Sequence, residues 1–445
     1  MVDISIINSK VVNEGNIHEA DLYIKNGRIE KISTSLEPIG EVIDASGLLL
    51  LPGVIDDQVH FREPGLTHKG SIMSESRAAV AGGTTSFMDM PNVIPPTLNE
   101  VLWEDKNEIA SSGSLANYSF YMGASNDNIE IIKSIDPNKV CGVKVFMGSS
   151  TGDLLVDNKR SLENIFKESK VIITTHCEDT PIISKNEEIF REKYGENVPF
   201  LEHSNIRSRE SCIKSTSYAI YLAKKFNSQL HVLHVSTADE INLFNSGPIE
   251  NKSITAEVCI PHLFFSDKDY EVKGSLIKCN PSIKEMSDQK ALREALKTGK
   301  IDFVATDHAP HTIEEKKQTY FNAPAGMPGI QHSLMVVLDL VDKNILSIEE
   351  VPKVTSHNVA RRFKIKERGF IREGYWADLV LIDREKEHTV SNKNILYKCG
   401  WSPFEGYTFK SRIIETIING VRIYSRGKIL SDKPGKKLEF SRGKI

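Results

Sequence analysis

Apolar and polar positions along this chain change rhythm twice. From residue 1 to about 50 they alternate in SIINSKVV, DLYIKNGRIEKIS and EVIDASGLLLL, the pattern of half-buried strands. Asn26-Gly27 supplies a hairpin turn between two of them. From Leu51 onward, short apolar runs alternate with longer stretches of helical spacing. TTSFMDM (84–90), YSFYMG (118–123), GVKVFMG (142–148), VIITTH (171–176), LHVLHVS (230–236), SITAEVC (253–259) and IDFVATD (301–307) predict buried strands, and Leu49 to Ile55 predicts one ahead of them. Residues 72–81, 207–226 and 287–298 predict helices between strands. Eight strands alternating with helices is the count of a (β/α)8 barrel. A doubly wound sheet would carry Gly-x-Gly-x-x-Gly after a strand, and none does. Past residue 365 the alternation returns in ADLVLID (377–383), IETIING (414–420) and VRIYSRGK (421–428), with Asn419-Gly420 as a second hairpin turn. The fold class expected is therefore α/β: a TIM-type barrel over residues 51–364 and a small β-sandwich built from residues 1–50 and 365–445. The basic stretch from Lys433 to Ile445 is expected to be a loosely held tail.

Composition narrows the function classes without choosing one. The chain has 445 residues, enough for a large barrel and a smaller partner, with 40% hydrophobic and 26% charged residues. A net charge of −4 gives no basic surface for nucleic acid or a membrane. Met1 to Val12 has neither the basic start nor the long apolar core of a signal peptide, and no apolar run is long enough to span a bilayer. The six cysteines are scattered, with no Cys-x-x-Cys pair, which argues against a disulfide framework and for a reducing cytoplasm.

Chemistry concentrates where apolar strands end. Residues 53–65 read GVIDDQVHFREPG, a greasy strand that closes in polar, ligand-type side chains. With a period of two, Asp56, Gln58, His60 and Arg62 share one face and Asp57 points to the other. Lys144 lies in the fourth strand, His176 ends the fifth, His234 falls in the sixth and Asp307 ends the last. In a barrel all strand C-termini converge on one rim, so residues this far apart in sequence can form one site. A lysine inside a buried strand needs a reason, because an unpaired ammonium there costs several kcal/mol.

These stretches resemble the cyclic amidohydrolases, and dihydroorotases in particular. The motifs are HFREPG, the MPN around Asn92, HCED, HVST and TDHAPH, and the match covers nearly the whole chain. In one place the chain departs from the family: Gln58 stands where the first metal-binding histidine is expected. The resemblance implies zinc, one or two per chain. It assigns His60, His176, His234 and Asp307 as ligands, with Lys144 carboxylated by carbon dioxide to bridge two metals. Gln58 is a weak ligand at best, since an amide oxygen is a poorer zinc donor than imidazole. Asp307 is also the implied general base and acid. Arg62 and Asn92 would hold the substrate carboxylate, with His311 adding a contact, and Asn280, Ala325 and Gly326 would approach the ring. The implied reaction is the reversible hydrolysis of dihydroorotate to N-carbamoyl-L-aspartate in pyrimidine synthesis. The partner is then a small molecule, with a homodimer compatible with the resemblance. Rival readings are an allantoinase or hydantoinase, and a catalytically dead assembly partner, for which Gln58 is the one supporting feature.

Overall fold

The computed structural model describes residues 2–148 and 154–442. Eight strand positions form a barrel of parallel strands: Val54–Val59, Thr84–Asp89, Asn117–Phe120 continuing as Met122–Gly123, Val143–Phe146, Ile173–His176, Leu230–Val232, Ile254–Cys259 and Phe303–Ala305. At the third position the chain changes partner. Tyr121 N–H donates to the carbonyl of Asp89, and Met122 N–H to that of Gly142. The ring closes where Val59 bridges His308 and His60 N–H donates to the His308 carbonyl at 2.7 Å. Helices connect the strands as the apolar spacing predicts. Ile72–Ala81 starts at a Ser71–Ser74 capping box, and Arg209–Phe226 starts at Ser208 and stops at left-handed Asn227.

The first barrel strand begins later than the apolar run indicates. Leu49–Pro52 pairs with Leu379–Asp383 in the other sheet, and the barrel strand starts at Val54. The switch occurs at Gly53, where any Cβ would lie 2.2 Å from the Thr85 side chain. No change in polarity marks the boundary in LLLLPGVI, because both neighbours are buried strands; Pro52-Gly53 is its local sign.

The second sheet has nine strands drawn from both ends of the chain. Its order runs Lys428–Ile429, Val421–Ser425, Arg412–Ile418, Leu379–Asp383, Leu49–Pro52, Ile4–Asn13, Asn16–Lys25 and Arg28–Ser33. Ile4–Asn13 changes register between Ile6 and Ser9, pairing first with Glu41–Asp44 and then with Leu49–Pro52. The second unit expected from both ends of the chain is thus built on this nine-stranded sheet. Ile6, Leu22, Ile29, Leu50, Leu381 and Ile417 belong to its single apolar core. Both hairpin turns sit where expected: Asn26 and Gly27, and Asn419 and Gly420, all have positive φ.

The C-terminal segment is held through Arg442, and residues 443–445 lie outside the described residues. Lys436 and Leu438 exchange backbone hydrogen bonds with Tyr118, and Phe440 is buried beside Ile365. The Arg442 guanidinium donates to the carbonyls of Pro137, Val140, Cys141 and Phe363. This plug lies by the start of the barrel strands, opposite the ends that carry the polar residues. Among the described residues, no helix is long and apolar enough to cross a membrane.

Candidate active site

A small cavity of roughly 100 Å³ opens at the C-terminal ends of the barrel strands. It is lined by Gln58, His60, Arg62, Asn92, Lys144, Phe146, His176, His234, Asn280, Asp307, Ala309, Ala325 and Gly326. Every site residue expected from the sequence is here except His311, which stands behind Arg62. Phe146 and Ala309 were not foreseen, since an apolar lining residue has no sequence mark that separates it from core. Arg62, His234 and Asp307 all adopt positive φ, at 72°, 37° and 49°. Such backbone is strained for non-glycine residues and collects at functional sites.

Two groups of side chains face each other across the cavity. In one, His176 Nδ1 is 2.9 Å from His234 Nε2, while His176 Nε2 is 2.8 Å from the Glu178 carboxylate. Burial works against that carboxylate, but Arg207, 3.1 Å away, and His176 hold its pKa far below the ordinary range. The ionised acceptor fixes Nε2 of His176 as the protonated nitrogen and leaves Nδ1 as a lone pair aimed at His234. Burial depresses the pKa of both imidazoles, so both are neutral donors. Lys144 completes the group. It is 1% exposed, and among the described residues its Nζ makes neither an ion pair nor a hydrogen bond. The Phe146 ring lies 4.5 Å from Nζ. Desolvation lowers its pKa to about 8, against the pull of Asp307 and Glu257.

The second group is built on Asp307. Its Oδ1 is 3.1 Å from His60 Nε2 and 3.2 Å from Gln58 Nε2. His60 Nδ1 meets Asn92 Oδ1 at 2.6 Å. Gln58 turns its amide nitrogen to Asp307 and its oxygen to the Cys259 thiol at 3.4 Å. In this orientation Gln58 is a hydrogen-bond donor to Asp307 and presents no oxygen ligand. Neutral imidazole lone pairs, a carboxylate and a buried amine without a partner are together a donor set that suits a zinc-like cation.

The charged end of the cavity belongs to Arg62. Its Nε donates to the Pro310 carbonyl at 3.1 Å and Nη2 lies 3.0 Å from His311 Nε2. His311 is held in turn by Lys69, 3.1 Å from Nδ1, and by the Ala325 carbonyl. Neither Glu63 nor Glu75 pairs with Arg62: they accept from Ile72 N–H and from His308 and Lys398 N–H. Burial brings the Arg62 pKa down only to about 10, so it stays charged. The wall at Ala325 and Gly326 is fixed by buried lysines. Lys316 Nζ donates to the carbonyls of Lys278, Pro324 and Gly326, and Lys278 Nζ to those of Tyr320 and Ala323. Gly326, at φ +128°, leaves no room for a Cβ, which would meet the Ala309 carbonyl at 2.6 Å.

Simple alternation fails at residues 56 and 57. The pairing of Val54–Val59 with Thr84–Asp89 slips twice, between Val54 and Ile55 and between Asp56 and Val59, and this irregular pairing breaks the strict alternation of facing. Asp56 leaves the cavity face and accepts from the Thr306 hydroxyl at 2.6 Å. Asp57 turns inward, toward His231 and Glu257.

Comparison with known proteins agrees with this geometry. Residues 49–423 match the amidohydrolase family. The chain is 32% identical over 435 residues to a dihydroorotase of Pyrococcus abyssi, covering 97% of this chain and 98% of that one. A dihydroorotase of Methanosarcina acetivorans is 33% identical over 91% of this chain and 89% of its own. An allantoinase of Salmonella choleraesuis is 31% identical over 95% of each chain. Among solved structures, the L-hydantoinase (dihydropyrimidinase) of Arthrobacter aurescens superposes with a TM-score of 0.92 at 25% identity, covering 99% of this chain and 100% of that one. Barrel, rim site and full-length similarity lead to one conclusion: the chain belongs to the amidohydrolase family.

Proposed function

We propose that this hydrolase is a dihydroorotase, opening the ring of dihydroorotate to N-carbamoyl-L-aspartate and closing it again, as a step of pyrimidine synthesis. The observation that carries the reading is Arg62. It is 6% exposed, and its remaining donors line a cavity shared with the amides of Asn92 and Asn280. A buried guanidinium facing a small cavity calls for an anionic group on the ligand, and its planar fork suits a carboxylate. Dihydroorotate carries that carboxylate beside a cyclic amide.

The rest of the site supplies the chemistry. Zinc would be held by Lys144, carboxylated on its amine, with His176 and His234 on one side and by His60 and Asp307 on the other; bound there it polarises the amide carbonyl and acidifies water. The neutral amine of Lys144, favoured by its burial, is the form that adds carbon dioxide. Asp307 takes the proton of the attacking water and delivers it to the leaving ring nitrogen. Gln58 Nε2 donates to Oδ1 and steadies it, which leaves Oδ2 for this transfer. Ring closure reverses the same path. Arg62 and Asn92 fix the far end of the substrate, and the lysine-braced segment at Ala325 and Gly326 limits its thickness. The buried, unpaired cysteines suit a cytoplasmic setting.

An allantoinase-type activity is the second reading, supported by the relative named above. An uncharged ring would leave Arg62 without a counter-charge. A dead assembly partner is less well supported, because only Gln58 departs from the ligand pattern. The test is turnover by zinc-loaded protein of dihydroorotate, allantoin and hydantoin, each alone. Dihydroorotate should be the preferred substrate; faster hydrolysis of an uncharged ring would refute the proposal.

A further inference from the structure

Beneath the active site, the barrel holds a second cluster of donors that the proposed reaction does not use. Asp57, His231 and Glu257 come from three strands and are fully buried. His231 is in register with Thr174, and Thr174 with Lys144, so its side chain points into the barrel as that of Lys144 does. His231 Nε2 lies 3.1 Å from Glu257 Oε2 and 3.6 Å from Asp57 Oδ2.

The protonation of His231 follows from its other nitrogen. Nδ1 is 2.9 Å from Thr255 Oγ1, and the Thr255 hydroxyl donates its own hydrogen to the Leu230 carbonyl. Thr255 therefore accepts from Nδ1–H, and Nε2 is left as a lone pair facing two carboxyl groups. Among the described residues, neither oxygen of Asp57 accepts from an N–H or a hydroxyl, although both are buried; its partner is the Glu257 carboxyl, with which it can share a proton. Glu257 Oε1 accepts from His234 N–H at 3.3 Å, which leaves Oε2 turned toward the trio. Among the described residues, no lysine or arginine pairs with either acid. As ions, two buried acids without a compensating cation would cost several kcal/mol each, and burial accordingly raises the pKa of both; the three side chains converge on one point.

We infer that Asp57, His231 and Glu257 form a buried binding site for a divalent transition cation of the zinc type, separate from the ligands at the cavity. A dication that displaces the proton shared by the acids meets one neutral imidazole and two carboxylates, which balance its charge and match zinc in donor type. Tetrahedral ligands at about 2.1 Å from a metal lie about 3.4 Å from one another, and the observed separations of 3.1 and 3.6 Å bracket that value. Thr255 plays the part that a partner of a metal-bound histidine usually plays, fixing the tautomer and the ring plane. With no N–H or hydroxyl donor on either oxygen among the described residues, Asp57 can supply a bidentate contact. The ion ties three strands together directly under the catalytic rim.

The test uses full-length protein purified without chelator, dialysed against zinc chloride and crystallised. An anomalous difference map at the zinc edge should show a scatterer about 2.0–2.2 Å from His231 Nε2 and from an oxygen of each acid. Asp57→Asn and Glu257→Gln should each lose about one equivalent of zinc per chain, as expected for removal of a carboxylate from a three-residue site, together with that peak. A parent map without a scatterer in the trio overturns the inference, whatever metal is found near Lys144 and His176. Unchanged zinc content in Asp57→Asn overturns it too. If both variants fail to fold, the parent map alone decides.

Discussion

Replacing Arg62 by methionine isolates the feature on which substrate choice depends. The side chain keeps its apolar length, but the guanidinium goes. Its Nε is already engaged by the Pro310 carbonyl, Nη2 lies beside His311 Nε2, whose hydrogen goes to the Ala325 carbonyl, and Nη1 has no protein partner among the described residues. The loss should therefore fall on the ligand contact. His311 keeps Lys69 and the Ala325 carbonyl as neighbours, so the wall behind Arg62 should stay in place. Removing one member of a buried charge pair costs about 2–5 kcal/mol, which lowers kcat/KM for dihydroorotate by about 30-fold to about 5,000-fold. The control substrate is dihydrouracil, the same ring without the carboxylate. Its slow turnover should be unaffected, because it never had the contact. Steady-state kinetics on both, with zinc content and Tm measured in parallel, gives the answer. An equal fall for both rings would mean that Arg62 supports the site structurally, and an unchanged rate on dihydroorotate would mean that it does not read the carboxylate.

Other residues make separate demands. Asp307→Asn keeps the size of the side chain but cannot carry the proton; fully metallated, it should lose about 10²–10⁴-fold in both ring opening and ring closure, and brisk turnover in either direction would end its acid/base role. Gln58→His should bind about one more equivalent of zinc than the parent after identical dialysis, since imidazole replaces an amide, and equal zinc content would show that the amide already suffices. In metal-free, bicarbonate-free protein, Lys144→Met should raise stability at pH 7 by about 3 kcal/mol, because the buried ammonium is held at a pKa near 8 against 10.5 in the unfolded chain. That penalty is complete below pH 8, fades as pH rises and is gone above 10.5, so denaturation at pH 7 and pH 10.5 should show the advantage only at the lower pH. Lys316→Met strands three buried carbonyls, at about 1–3 kcal/mol each; it should lower Tm and raise KM more than it lowers kcat, and a fall in kcat alone would place Lys316 outside substrate binding.

Much of this was legible in the sequence because barrels convert strand ends into a site. His60, His176, His234 and Asp307 could be found from the ends of apolar runs, and both hairpin turns from Asn-Gly pairs. What the sequence hid has physical causes. Gly53 sits between two buried strands of different sheets, so no change in polarity marks the boundary. The irregular pairing around Asp56 is set by the neighbouring strand, and a period of two cannot foresee it; this is why Asp57 was expected to face away from the barrel interior. Lys278 and Lys316 look like surface lysines, since nothing local says that their ammonium groups end on buried carbonyls. The charged segment after Lys433 resembled a tail because its few apolar residues, Leu438 and Phe440, gain their value only against the barrel floor.

The most direct test of the account is a structure of the zinc-loaded protein with dihydroorotate bound. The substrate carboxylate should lie within hydrogen-bonding distance of the Arg62 guanidinium and the Asn92 amide, and the cyclic amide between Asp307 and Lys144. A ligand bound with its carboxylate turned away from Arg62, or bound outside this cavity, would contradict it.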